Sequence, residues 1–196
     1  KFYKIKADLS KLNQIIKTLR IVKKKEKRLD ILVNNAGVSL NFNRSDLKNY
    51  WDKTLDINLK LPFLMMHHCL PLLKKSKNPS IINISSLGSK IAMSNNPAYN
   101  ASKAGLSALT FSFALDYAKH GIRVNSISPG YIKTEMTKKS YKNKKKYKTR
   151  IDRMMIKKYG SIEDVANASI FLSSTNAKYI NAEDLVVDGG LIKKGI

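Results

Sequence analysis

The sequence predicts a doubly wound parallel α/β sheet in one domain, and three observations carry this. Short apolar runs at 29–33, 81–84, 122–127 and 185–187 are continuous rather than alternating, as in strands covered on both faces. Segments of helical period alternate with them. Each run ends in polar or Gly-rich residues: Asn34 to Gly37, Ser85-Ser86, Pro129-Gly130, and Asp188-Gly189-Gly190. Alternating strands and helices argue one sheet with helices on both sides. A chain of 196 residues suffices for one such core, and no internal repeat or linker interrupts it.

Residues 2–8 read as a first strand already under way, ending at Asp8-Leu9-Ser10. Ser10 is placed to cap a helix whose stripe is Leu12, Ile15, Ile16, Leu19 and Val22. The basic run 23–28 suits that helix's C-terminal end. After strand 29–33, residues 45–71 read as one or two helices with Trp51, Leu55, Ile57, Leu59, Phe63, Leu64 and Met66 on their apolar face. Strand 81–84 leads to a helix from Pro97 to about His120, stopped by Gly121. Strand 122–127 closes at Pro129-Gly130, and a basic, poorly patterned segment runs from Thr134 to Lys158. Ser161 to Asp164 has the form of a helix start, and Val165, Ala168, Phe171 and Leu172 continue it.

The charge is lopsided: 37 Lys and Arg against 14 Asp and Glu give +23. Such a field draws polyanions. The lysines are spread along the chain, however, and no nucleic-acid recognition motif accompanies them, so no specific nucleic-acid partner is expected. No run of about 20 apolar residues predicts a membrane span. Single Cys69 rules out an internal disulfide and fits a reducing compartment, so a cytoplasmic location is expected. His67-His68-Cys69 is not read as a metal site, because adjacent helical residues point about 100° apart.

Within the helix from Pro97, Tyr99 and Lys103 are four residues apart and share a face. An ammonium beside a phenol favours the phenolate, so the spacing predicts a Tyr99 pKa lowered toward working pH and a general acid/base. In parallel sheets ligands bind beyond the carboxyl ends of the strands, where this helix begins.

Ordered motifs extend the pattern: Asn34-Asn35-Ala36-Gly37; Asn58 in Asp56-Ile57-Asn58; Ser86 thirteen residues before Tyr99; Tyr99-Asn100-Ala101-Ser102-Lys103; Pro129-Gly130-Tyr131-Ile132-Lys133-Thr134; and Val187-Asp188-Gly189-Gly190. In this set the chain resembles the short-chain dehydrogenase/reductases, from about their third sheet strand to the C-terminus. The resemblance implies a Rossmann-like domain over residues 1–196, N-terminally incomplete because the Gly-rich phosphate loop is not in the sequence. It implies NAD or NADP as cofactor, with the preference unreadable. It implies catalytic roles for Tyr99 (proton donor), Lys103 (ribose hydroxyls and Tyr99 pKa), Ser86 (substrate oxygen) and Asn58 (a relay water). Cofactor contacts are implied for Asp8 and Leu9, for Asn34, Ala36 and Gly37 on the adenosine side, and for Pro129, Gly130, Ile132 and Thr134 near the nicotinamide. Asn35 is expected to tie neighbouring strands, and Ser85 to be a turn serine.

The implied reaction is hydride transfer between nicotinamide and a carbonyl or secondary alcohol, with no metal. The motif style is similar to 3-oxoacyl-[acyl-carrier-protein] reductases, and sugar or polyol dehydrogenases of surface-sugar synthesis are the alternative. The basic run from Lys138 to Arg150 suits an acidic carrier or a solvated lid. A homo-oligomer, dimer or tetramer, is implied. A non-catalytic, truncated oligomerising homologue is the alternative of another class.

Overall fold

Four of the apolar runs become strands, and all four are parallel. In the computed structural model, which describes residues 3–40, 42 and 44–194, they are β1 (Ile31–Asn34), β2 (Ser80–Ile84), β3 (Arg123–Pro129) and β4 (Asp184–Val187), lying side by side in that order. Helix α1 (Leu12–Lys25) precedes β1. The β1–β2 crossover holds α2 (Leu47–Leu55) and α3 (Leu61–Leu73), and α4 (Pro97–Ala118) joins β2 to β3. Between β3 and β4 come α5 (Lys138–Tyr141), α6 (Lys144–Ile151) and α7 (Ile162–Ser173).

The strands bury both faces where helices cover both. Leu32, Ile81 and Val124 pack with Ile15 and Leu19 of α1, Met66, Cys69 and Leu73 of α3, and Phe113 of α4. On the other face Ile82 and Ile127 meet Leu172 of α7. The doubly wound expectation holds. At β1 only one face is covered: Leu32 and Asn34 are buried, while Ile31 and Val33 are 44% and 47% exposed.

Residues 3–7 form no strand, contrary to expectation, and Phe2 lies outside the described residues. Only Ile5 and Ala7 are apolar between lysines. In the strand order 3-2-1-4 of doubly wound sheets, a third strand does not border the fourth, so no described strand runs beside this segment, and the Tyr3 ring lies 4.2 Å from Lys25 Nζ. Ser10 does not cap α1 either. Lys11 is the N-cap, without a side-chain bond, and the Ser10 hydroxyl donates instead to the Asp8 carboxylate at 2.7 Å. The α7 start is as read: the Ser161 amide donates to Asp164 at 2.7 Å and the Asp164 amide to Ser161 Oγ at 3.3 Å.

The segment from Thr134 to Lys158 is better organised than its pattern suggested. Tyr147 stacks on Tyr159 with centroids 5.2 Å apart, and the Arg150 guanidinium lies 4.3 Å from the Tyr131 ring. These rings are scattered in sequence, so their cluster has no periodic signature. Among the described residues no helix is long and apolar enough to cross a membrane.

Two devices fix the strand ends. Gly130 passes so close to β4 that a Cβ there would sit 2.8 Å from Asp188 Cα. Buried Arg123 donates to the carbonyls of Leu172 (2.6 Å) and Ser174 (3.1 Å), where the C-terminal end of α7 has no amides of its own to offer. Arg123→Met strands those carbonyls, and a loss of about 2–3 kcal/mol is expected, read from the urea midpoint.

Candidate active site

The carboxyl ends of β1, β2 and β3 open into a cavity of about 700 Å³ between the start of α4 and the flank of α7. Gly37, Ser86, Tyr99, Lys103, Pro129, Gly130, Ile132 and Thr134 all line it. Residues from three strand-end loops and from α4 thus meet, because parallel strands end on one edge.

Ser86 leaves β2 in extended conformation and caps the short turn Leu87–Ser89, its hydroxyl accepting from the Gly88 amide at 3.1 Å. Its side chain also stands near enough to the Tyr99 phenol to pull the Tyr99 pKa down. Burial pushes harder the other way, and the phenol ends above its ordinary value of 10.0. This corrects the expectation of a lowered pKa. Lys103 Nζ lies 5.9 Å from the Tyr99 ring centroid and donates to the Ile84 carbonyl at 2.7 Å. Its charge is spent on a backbone oxygen, and burial lowers its own pKa from 10.5 to about 8.

Asn58 lies behind the cavity, fully buried in a π-helical turn (Asp56–Lys60) between α2 and α3. Its amide donates to the Val38 carbonyl and accepts from the Val38 amide, both at 2.8 Å, and donates to Ser102 Oγ at 3.1 Å. Asn58 therefore locks the Gly37-Val38 loop. A Cβ on Gly37 would lie 3.4 Å from Asn58 Oδ1 and 3.5 Å from Lys103 Nζ, so the three groups form one floor.

Asn34 and Asn35 exchange the places expected of them. Strand alternation turns Asn34 inward with Leu32, where its amide donates to Asn83 Oδ1 at 2.7 Å, and Asn83 donates to Thr110 Oγ1 at 2.9 Å. Asn34 is the strand tie, and Asn35 lines the cavity. Ala36 is exposed and outside the lining. Asp8 and Leu9 are not brought to the cavity. Asp8 is exposed and its carboxyl is lowered by Ser10 bonds, the signature of a local turn. Leu9 borders a separate hollow of about 30 Å³ beside α3. Ser85 does serve structure, donating to the Lys103 carbonyl at 3.1 Å.

Sequence reasoning missed one wall. Ile162, Val165, Ala166, Ser169 and Ile170 of α7 face the cavity, and Met136 and Thr137 form its rim. They keep helical spacing, yet among them only Val165 belongs to the pattern read for this helix, which otherwise runs through Ala168, Phe171 and Leu172. Thr137 also holds the loop: its hydroxyl donates to the Ile132 carbonyl at 2.5 Å and lies 3.2 Å from Thr134 Oγ1.

A nucleotide fits what is present. A lysine ammonium carries three donors, and among the described residues Ile84 O is the acceptor given to Lys103. Two N–H groups of a buried cation are left to the cavity, matching a ribose diol. Among the described residues no cluster of three metal-ligating side chains occurs.

The buried ammonium has a cost. The native pKa of Lys103 is below the ordinary lysine value, so between about 8 and 10.5 the unfolded chain binds more protons and stability rises with pH. Below that window the full cost applies. Lys103→Met is expected to stabilise the nucleotide-free chain by about 2 kcal/mol at pH 7, the relieved desolvation outweighing the lost Ile84 bond. Thermal unfolding at pH 7 and 10 checks both sign and window.

The family model described as enoyl-(acyl carrier protein) reductase matches residues 1–192. The 3-oxoacyl-[acyl-carrier-protein] reductase of Rickettsia felis is 39% identical over 172 residues, covering 86% of this chain and 69% of the relative. A solved structure of 4-hydroxyisoleucine dehydrogenase complexed with NADH superposes with a TM-score of 0.92 at 30% identity, covering 97% of this chain and 79% of the other. The gluconate 5-dehydrogenase of Burkholderia cenocepacia, in complex with NADP and tartrate, gives a TM-score of 0.87 at 27% identity, covering 96% and 74%. With the parallel sheet and the Ser86, Tyr99 and Lys103 cavity already in place, these matches fix the lineage: the chain belongs to the short-chain dehydrogenase/reductase family of NAD(P)-dependent oxidoreductases.

Proposed function

We propose that this chain, as one domain over residues 1–196, reduces the ketone of a 3-oxoacyl thioester presented by an acidic carrier, using NADH or NADPH. The observation that carries this is the meeting of Ser86, Tyr99 and Lys103 in a cavity whose far wall is apolar: Ile132, Met136, Ile162 and Ile170. An acyl chain suits that wall better than a polyol. Helices α5 and α6, rich in lysine, begin at the cavity rim after Thr137 and offer a cationic landing for an acidic partner.

Nicotinamide, when bound, supplies the hydride. Lys103 is suited to hold its ribose hydroxyls with the two donors Ile84 leaves free, and Thr134 and Asn35 border the same space. The protein's own part is proton transfer and orientation. Tyr99, kept protonated by burial, gives its phenolic proton to the substrate oxygen. Ser86 donates to that oxygen as charge develops. Asn58 holds the Gly37 floor against Lys103 and so fixes the path by which a proton returns. In the alcohol-oxidising direction a raised Tyr99 pKa demands alkaline conditions.

The protein is further read as a cytoplasmic homodimer or homotetramer. Cys69 is buried with its thiol pushed up to about 11, an inert state suited to a reducing compartment. Trp51, Phe63, Phe111 and Leu115 stand exposed on neighbouring helices α2, α3 and α4, an apolar surface fit for a second copy.

Oxidation of NADH and NADPH is to be followed with a 3-oxoacyl thioester, a gluconate-type polyol pair and simple ketones. Clear preference for the polyol would transfer the assignment to the sugar dehydrogenase reading. Tyr99→Phe should cut kcat by about 10³-fold with nucleotide binding intact. For reduction, kcat/KM should fall as pH rises past about 8, where Lys103 loses its proton in the free enzyme. Leu115→Glu should shift the sedimentation coefficient toward the monomer, and an unshifted value would remove α4 from the interface.

A further inference from the structure

One carboxylate ties together the elements that deliver the reactive groups, and none of the roles above uses it. Asp184 opens β4 with its side chain 4% exposed. Its Oδ1 accepts from the Ser128 hydroxyl at 2.7 Å and its Oδ2 from the Ser107 hydroxyl at 3.1 Å, while Lys90 Nζ lies 2.9 Å from Oδ2. Each donor belongs to a different element. Ser128 precedes Pro129 at the end of β3, and Ser107 stands one helical turn beyond Lys103 on α4. Lys90 closes the turn Leu87–Ser89 that Ser86 opens.

Charge decides why Lys90 is there. Hydroxyls satisfy a carboxylate's hydrogen bonds but not its charge, and an uncompensated buried anion is costly. Lys90 is the cation this site recruits, with its side chain 32% exposed. Recruiting it fixes the far end of the turn. The near end is fixed too: the Ser89 hydroxyl donates to the Ser86 carbonyl at 2.7 Å and lies 3.4 Å from Ser128 Oγ. A three-residue turn clamped at both ends leaves Ser86 little freedom relative to Tyr99.

We propose that Asp184 and Lys90 form a positioning pair that holds the Ser86 turn against the Tyr99 helix. Neither residue lines the cavity, so their effect passes through Ser86. The proposal rests on the reading of Ser86 and Tyr99 as the groups that meet the substrate oxygen.

Lys90→Met, Lys90→Arg and the double variant Lys90→Met with Asp184→Asn separate positioning from stability. Lys90→Met leaves the anion bare and should lower both Tm and kcat. In the double variant the amide oxygen still accepts from Ser128 and the amide NH2 donates to Ser107 Oγ, so Tm should return toward the parent. The tether is gone, so kcat should stay about 10²-fold down, as for a misplaced reacting group, with the nucleotide KM unchanged. Lys90→Arg should keep most of kcat. A double variant with parental kcat would make the pair a stability element only and overturn the proposal. Deuterium exchange at the amides of residues 86–90, without nucleotide, reads the tether independently: roughly tenfold faster exchange in the double variant is expected, as for a local opening made easier. Unchanged exchange overturns the proposal whatever the activity. A parent inert toward every carbonyl, with exchange accelerated in the double variant, would sink the functional reading alone and leave the tether standing.

Discussion

The structure depends on β2 being buried from both sides. Ser80, Ile81, Ile82 and Asn83 have no exposed surface, because α3 and α4 cover one face and α7 the other. A strand in that position is mostly apolar, a polar side chain such as Asn83 being held by buried partners in Asn34 and Thr110, and it turns fully polar where it emerges. Ser85 and Ser86 mark that emergence. The parallel neighbours emerge at the same edge, so Asn35, Pro129 and Gly130 arrive beside them. The site is thus a by-product of strand direction, and α4 supplies the two residues that strand tips cannot: a phenol and an ammonium on one helical face.

Burial then sets the chemistry in a sense that sequence spacing alone does not reveal. Tyr99 and Lys103 are a turn apart, as i and i+4 residues must be. Both have their charged forms penalised by the same dry surroundings, the phenol upward and the ammonium downward. Their ionisations cross and move apart, the phenol above 10.0 and the ammonium down to about 8, without the direct contact that spacing suggested. The nucleotide-free chain holds a proton donor and a poorly solvated cation waiting for acceptors.

Much of this was legible in the sequence. The four strands, the α4 helix, the α7 capping box and the convergence of Ser86, Tyr99, Lys103, Gly130 and Thr134 all followed from periodicity and ordered motifs. What was not legible depended on facing direction and on partners distant in sequence. Asn34 and Asn35 are adjacent, and only strand register says which faces inward. Asp8 looked like a ligand because of where it stands in the chain, and the fold instead leaves it to its own turn. The α7 wall was visible as a pattern, but a helix with two apolar stripes does not say which one meets a cavity. The tyrosine and arginine cluster that anchors α5 and α6 had no periodic signal at all.

The lysine surplus has a colloidal consequence. At +23, copies of the chain repel one another before their surfaces can meet. That protection is electrostatic and therefore conditional: at 0.15 M salt it reaches only about 8 Å, and added salt shortens it further. The exposed Trp51, Phe63, Phe111 and Leu115 thus stand behind a barrier that ionic strength lowers without touching the fold.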